Sequence, residues 1–215
     1  MRGAALALLA GSVLSVGAPV AWWAQDARGR EFGGGAAQQL AAPPSPTPAA
    51  VPAPHRRVAT RPALLADVVD PPVRVDLDGT AAPVDPVGLD RDRQVVVPRD
   101  VRRAGWYSSG PQPGDRSGAA VLVGHADDAV QGLGAFARLH DLRAGAEVVV
   151  RTAAGDELTY EVVSRERIGK AEVPMGRLFS RTGAPRLVLI SCGGEFDPRT
   201  RSYSDNVVVT AVPRR

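Results

Sequence analysis

A mainly β domain is expected from this sequence, a closed or nearly closed β-barrel with short helices in its connections. Two patterns point there. Apolar residues beyond Val73 come in short, β-branched runs bounded by turn residues: Val73 to Leu77, Gln94 to Val97, Ala119 to Gly124, Glu147 to Arg151, Leu158 to Arg165, Leu187 to Ser191 and Val207 to Val212. Only Gly134 to Leu142 and Met175 to Arg181 have a helical pattern, and each is a turn or two long. A third observation limits where the barrel begins. Of 19 prolines in 215 residues, seven fall between Ala41 and Pro62, so the composition is segmental rather than that of a disordered chain.

The elements follow in chain order. Gly3 to Ala24 is an uncharged stretch of 22 residues, led by Arg2 and closed by Trp22, Trp23 and Asp26. That length spans a bilayer as a helix, and tryptophan suits the water interface. Residues 1–25 are therefore expected to be a transmembrane signal-anchor with the amino end cytoplasmic. A cleaved signal peptide is the rival, since Val16 and Ala18 fit a small-residue cleavage rule, although Pro19 would follow the cut. Residues 26–62 carry the glycine run Gly33 to Gly35 and then proline interleaved with alanine, serine and threonine, which reads as an extended spacer. The folded domain is assigned to residues 63–215. Within it, Ala153 to Asp156 reads as a hairpin turn and Pro111 to Asp115 as a loop. Ala66 to Asp92, rich in proline and aspartate, is a candidate lid or border for a groove.

Charge excludes one class of partner. The five arginines before Val58, set against Asp26 and Glu31, account for the whole net charge of +3, and 21 basic and 21 acidic residues remain beyond them. A neutral domain has no nucleic-acid footprint. The single cysteine excludes an intramolecular disulfide framework and any multi-cysteine zinc site. The domain histidines have no metal-ligand spacing, Asp76 and Asp78 fall short of a calcium loop, and there is neither a phosphate-binding glycine loop nor a GxSxG elbow. No metal or other cofactor is expected.

The residues suited to chemistry sit where apolar runs end. His125 closes Ala-Ala-Val-Leu-Val-Gly-His, and Cys192 closes Leu-Val-Leu-Ile-Ser-Cys before Gly193 and Gly194. Were the two strands neighbours, imidazole and thiol would meet. Such a pair lowers the thiol pKa from about 8.5 and suits acyl transfer through a thioester. A buried structural cysteine and a histidine satisfied by a backbone carbonyl are the plainer readings of the same residues. His140 is expected on the surface of a short helix. Asp127 is a candidate to orient His125 or to cap a turn.

Taken together, Val123-Gly-His125-Ala-Asp127, Gly134-Ala-Phe136-Ala-Arg-Leu139, Leu189-Ile-Ser-Cys192-Gly-Gly-Glu-Phe-Asp197 and Tyr203-Ser-Asp-Asn-Val-Val-Val209 resemble a sortase, most of all the class F sortases of actinobacteria. The resemblance runs from about Pro72 to Ala211. It implies an eight-stranded barrel and a membrane-bound, extracytoplasmic cysteine transpeptidase with Cys192 as nucleophile and His125 as general acid and then base. It implies a Leu-Pro-x-Thr-Gly-like sorting signal of exported proteins as substrate. The implied acceptor is an amine, from a cell-wall peptide or a pilin lysine, or else water. Ser191 stands where the family has threonine. The family's third residue, an arginine, is absent from its usual place, which is Ser204. Arg199 and Arg201 lie nearby, and Arg201, nearer the last strand, is assigned the role. An L,D-transpeptidase fits poorly because no histidine adjoins the cysteine, and a papain-like enzyme is excluded because none follows it. The alternative outside catalysis is an exported peptide-binding module with little or no turnover.

Overall fold

In the computed structural model, which describes residues 31–42 and 70–214, eight strands close into a barrel. The strands of the barrel are β1 (Pro72–Leu77), β2 (Thr80–Val87), β3 (Ala104–Tyr107), β4 (Ala119–Val123), β7 (Glu147–Thr152), β8 (Glu157–Gly169), β9 (Arg186–Asp197) and β10 (Ser202–Pro213). Their order around the barrel is β1-β2-β3-β4-β9-β10-β8-β7, and β7 returns to β1. The contacts β2–β3 and β4–β9 are parallel and the rest antiparallel. A small hairpin, β5 (Asp127–Asp128) with β6 (Gly132–Leu133), stands beside the barrel after β4.

The expected anchor at residues 1–25 lies outside the described residues, as do residues 26–30 and 43–62 of the expected spacer. Among the described residues no helix is long and apolar enough to cross a membrane.

The β4 and β9 sequences are apolar at consecutive positions because both faces of these strands are covered. Ala120, Leu122, Leu187 and Leu189 point into the barrel with Val207, Val209 and Ala211 of β10. Ala119, Val121, Val123 and Val188 point outward, with Val208, and pack beneath Val95, Val97, Val173 and Phe179. Fully burying a leucine or valine of this kind contributes about 1.5–3 kcal/mol. The outward layer matters for the site, because it is the floor of a groove.

Two strands were not legible as apolar runs. β2 is broken up by Pro83 and Pro86, and proline demotes a strand; β3 is only four residues long. The expected strand Gln94 to Val97 is instead part of a loop that makes one bridge, Val95 to Leu89. Residues 72–87 of the candidate lid are barrel strands, so the segment bordering the groove is the loop that follows them. The helical expectations shorten to a 3-10 turn at Ala137–His140 and to α2 (Met175–Leu178), labelled after the helix described next.

Inside the span read as an extended spacer, residues 31–42 fold onto the barrel. Phe32 bridges Arg165 of β8, and α1 (Gly34–Ala41) packs on the same strand. Gly33 permits this: its φ is +71°, and a Cβ there would fall 2.0 Å from the Val163 carbonyl oxygen. The first glycine of a run read as part of an extended spacer thus serves close approach. At its other end, the Leu40 carbonyl accepts from Ala184 N–H at 3.0 Å and from the Arg186 guanidinium at 3.2 Å.

Candidate active site

Register alone brings the two reactive side chains to one place. In the parallel β4–β9 ladder, Val121 pairs with Val188, Leu122 with Leu189 and Val123 with Ile190. Gly124 N–H continues it with a bond to the Ile190 carbonyl at 3.1 Å. His125 and Cys192 each lie two residues beyond the Val123–Ile190 pair, on the outward face that carries Val123 and Ile190. Both are half-buried.

The thiol opens into a groove of about 540 Å³, walled by Gln94, Val95 and Val97 on one side and by Val173, Met175 and Phe179 on the other, with Ile190 and Asn206 on its floor. The second wall is pinned to the barrel by Arg177 of α2, whose guanidinium holds both oxygens of Glu166 at 2.9 and 3.0 Å. Apolar walls with few polar groups suit an extended peptide. Lys170 is the one basic side chain that lines the groove among the described residues, and its Nζ donates to Ser202 Oγ at 2.6 Å.

The protonation of His125 follows from its neighbour. Nε2 lies 3.0 Å from the Pro98 carbonyl oxygen, which can only accept, so the neutral ring carries its proton on Nε2. Nδ1 is then the nitrogen left to exchange a proton with a thiol. The ring is steadied further along the chain, where the His125 carbonyl accepts from Phe136 N–H at 2.9 Å.

Asp127 takes neither role expected of it. Its Oδ2 accepts from the Tyr203 hydroxyl at 2.8 Å, joining the β5–β6 hairpin to β10. Burial first, and then the hydrogen bond to Asp127 with the negative charge of that carboxylate, raises the Tyr203 phenol far above its ordinary range, so it remains a donor. Asp128, one residue on, is held below the usual carboxylate range by the backbone N–H groups of Gln131 and Val130, and after them by the charges of His125 and Arg201.

Arg201 sits at the tip of the β9–β10 hairpin, exposed, with φ of +52°. Its neighbour Ser202 pairs with Asp197, five residues past Cys192. A register shift between Tyr203 and Asp205 separates that pair from the Asn206–Cys192 pair, and Asp128 is a carboxylate that feels the Arg201 charge. Arg199 is exposed on the same tip, beside Asp197. Ser204, at the place where an arginine was sought, turns its hydroxyl to accept from Glu195 N–H at 3.0 Å. Ser191 Oγ is buried and has no hydrogen-bond partner among the described residues. No group of three or more His, Cys, Asp or Glu side chains among them is arranged to hold a metal ion.

Four groups at the site had escaped the sequence: the Pro98 carbonyl, Tyr203, Lys170 and His140. The expectation of a surface histidine at position 140 is corrected: its side chain is half-buried and faces the backbone of Cys192.

Comparison with known proteins accords with this geometry. A model of the sortase domain matches residues 78–214. No curated protein matches the chain by sequence. Among solved structures, sortase A from Corynebacterium diphtheriae is similar at 18% identity and a TM-score of 0.51, covering 68% of this chain and 62% of that one. Sortase C-1 from Actinomyces oris is similar at 21% identity and 0.51, covering 66% and 73%. Sortase C2 of group B Streptococcus pilus island 1 is similar at 17% identity and 0.51, also covering 66% and 73%. The chain thus spans a little under two thirds of the diphtherial protein's length.

Proposed function

Because the chain belongs to the sortase family over residues 78–214, we propose that it is a cysteine transpeptidase, with Cys192 as nucleophile and His125 as acid and base. The observation that carries this is the parallel β4–β9 register, which sets imidazole and thiol two residues beyond one strand pair. The substrate is a Leu-Pro-x-Thr-Gly-like sorting signal of an exported protein, laid along the groove.

Each step follows from the groups described. The Cys192 thiol passes its proton to Nδ1 of His125, and the sulfur adds to the threonine carbonyl. As the tetrahedral intermediate collapses, the C–N bond breaks, the departing amine takes the proton from the imidazolium, and a thioester remains on Cys192. An acceptor amine, from a cell-wall peptide or a pilin lysine, then attacks the thioester and gives its proton back to His125, releasing the thiol. Water in the same position makes the enzyme a hydrolase.

A cation near the oxyanion completes such a site. Arg201 is proposed for this role, entering when the β9–β10 hairpin closes over bound peptide. Lys170, already on the groove wall, is the competitor, and the two alanine variants distinguish them. The motif pattern favours a class F enzyme, anchored through residues 1–25 with the catalytic domain outside the cell membrane.

The test uses the protein with and without Cys192→Ala, incubated with Leu-Pro-x-Thr-Gly-like peptides and a glycine-based amine, and read by mass spectrometry. A thioester on Cys192 or an amine-linked product lost in the variant is expected. A folded protein that binds these peptides and forms neither would leave the second reading, a peptide-binding module. The Ser204 hydroxyl engaged with Glu195 where an arginine was sought is the observation that favours that second reading.

A further inference from the structure

We propose that His140 is a positioning residue for the nucleophile: its imidazole replaces the strand partner that Cys192 loses where β4 turns away, and holds the Cys192–Gly193 backbone in the attacking geometry. This deepens the transpeptidase reading and rests on Cys192 being the nucleophile.

The backbone supplies the reason such a partner is needed. Alternate residues of a strand turn their N–H and C=O to the same neighbour. Since the Ile190 carbonyl is bonded by Gly124 of the β4 side, Cys192 turns its own backbone groups to that side as well. β4 has ended there. The Ala126 carbonyl is taken by Gly134 N–H at 2.9 Å and the His125 carbonyl by Phe136 N–H, so the chain after β4 has folded back on itself. Cys192 thus has β10 on one side, through Asn206, and among the described residues no strand on the other, and a backbone group left unpaired away from water is costly.

His140 occupies that edge. Its ring faces the Cys192 backbone, whose influence is felt in the ring's titration. It also lies so close to Gly193 that a Cβ on that glycine would be 3.0 Å from His140 Cε1. Gly193 alternates with Cys192 along β9, so the face it turns to the imidazole is opposite the one that carries Sγ. His140 therefore supports the nucleophile from behind and does not compete with His125 for its proton.

The support is itself anchored. The Arg165 guanidinium donates to the carbonyl oxygens of His140 and, at 2.8 Å, of Leu142, and stands 5.6 Å from the centre of the Phe32 ring. The groups facing the ring are Asp141, Arg165 and Arg167 besides the Cys192 backbone. Burial dominates among them and pushes the imidazole below its ordinary range, leaving a neutral donor at neutral pH. A half-buried polar ring is destabilising where nothing polar meets it, and here the ring faces the backbone of Cys192.

The experiment measures the rate of alkylation of Cys192 by iodoacetamide between pH 5 and 9 in the full chain, for wild type, His140→Ala, His140→Gln and Leu139→Ala, with melting temperatures for each. His140→Ala is expected to slow labelling at pH 7 about tenfold. His140→Gln, whose amide can donate to the same backbone, is expected within about twofold of wild type. Leu139→Ala is expected to melt earlier and to label at the wild-type rate below its transition. Wild-type labelling in His140→Ala, equal slowing in the glutamine variant, or equal slowing in Leu139→Ala would each overturn the proposal. Peptide turnover measured alongside separates the two ideas: rapid labelling without any thioester removes the transpeptidase reading, while the labelling series still judges His140.

Discussion

The end of the β4–β9 ladder and the tip of the β9–β10 hairpin are both offered by the same strand, yet they hold their functional candidates in opposite ways. At the ladder's end, His125 and Cys192 are fixed by five paired positions and by apolar layers on both faces. At the tip, Arg201 is exposed in a left-handed turn, with Asp128 the carboxylate whose charge it meets. A side chain whose backbone is paired on a buried strand has little freedom, whereas one on a turn is placed by local solvation and by whatever binds. In the proposed mechanism the two groups at the ladder's end are therefore preorganised, and the proposed cation is left to ligand-dependent closure.

The sharpest way to test that contrast is at the ladder's end. His125→Ala is expected to lower peptide turnover by about 10²–10⁴, the ordinary worth of a general acid and base, with the melting temperature little changed because the ring is only half-buried. Steady-state kinetics and a melting curve decide it, and a large stability loss with modest rate loss would make His125 structural.

Next in size is the layer beneath. Leu189→Ala, on the interior face of β9, is expected to destabilise by about 2–5 kcal/mol, because Leu189 is fully buried in the barrel core and a cavity would remain. Urea denaturation measures it.

At the tip, Arg201→Ala is expected to cost about tenfold in kcat/KM, the weak end of a charge-assisted hydrogen bond formed only with substrate present. Its folded stability should be unchanged. If Lys170→Ala costs more than Arg201→Ala, the cation belongs to the groove wall and not to the hairpin.

The smallest effect is one of pH. With the folded-state pKa of His140 depressed by burial, the unfolded chain binds the proton more readily, so stability is complete above the ordinary histidine pKa of 6.5 and falls as pH drops below it. His140→Gln should remove that part of the acid sensitivity, read as the change in denaturation midpoint between pH 7 and pH 5. An unchanged pH dependence would place the titration elsewhere.

The sequence by itself determined that the domain is β-rich, because β-branched runs bounded by turn residues need only local patterning to be recognised. It also determined that two fully apolar runs end in His125 and Cys192, since a strand covered on both faces has no polar positions to interrupt it. The Ala153–Asp156 turn was legible for the same local reason, and it does join β7 to β8. What it left open depended on partners distant along the chain. That β4 lies beside β9, and parallel to it, is a pairing across more than sixty residues for which no local periodicity speaks. The docking of residues 31–42 hung on Gly33 meeting the Val163 carbonyl, within a segment whose composition reads as an extended spacer. Arg201 stood close to Cys192 in sequence and came to lie exposed on a hairpin tip, because the turn carries it beyond the paired strands. His140 stood far in sequence and came to lie against the Cys192–Gly193 backbone, because the strand that would have paired there turns back on itself.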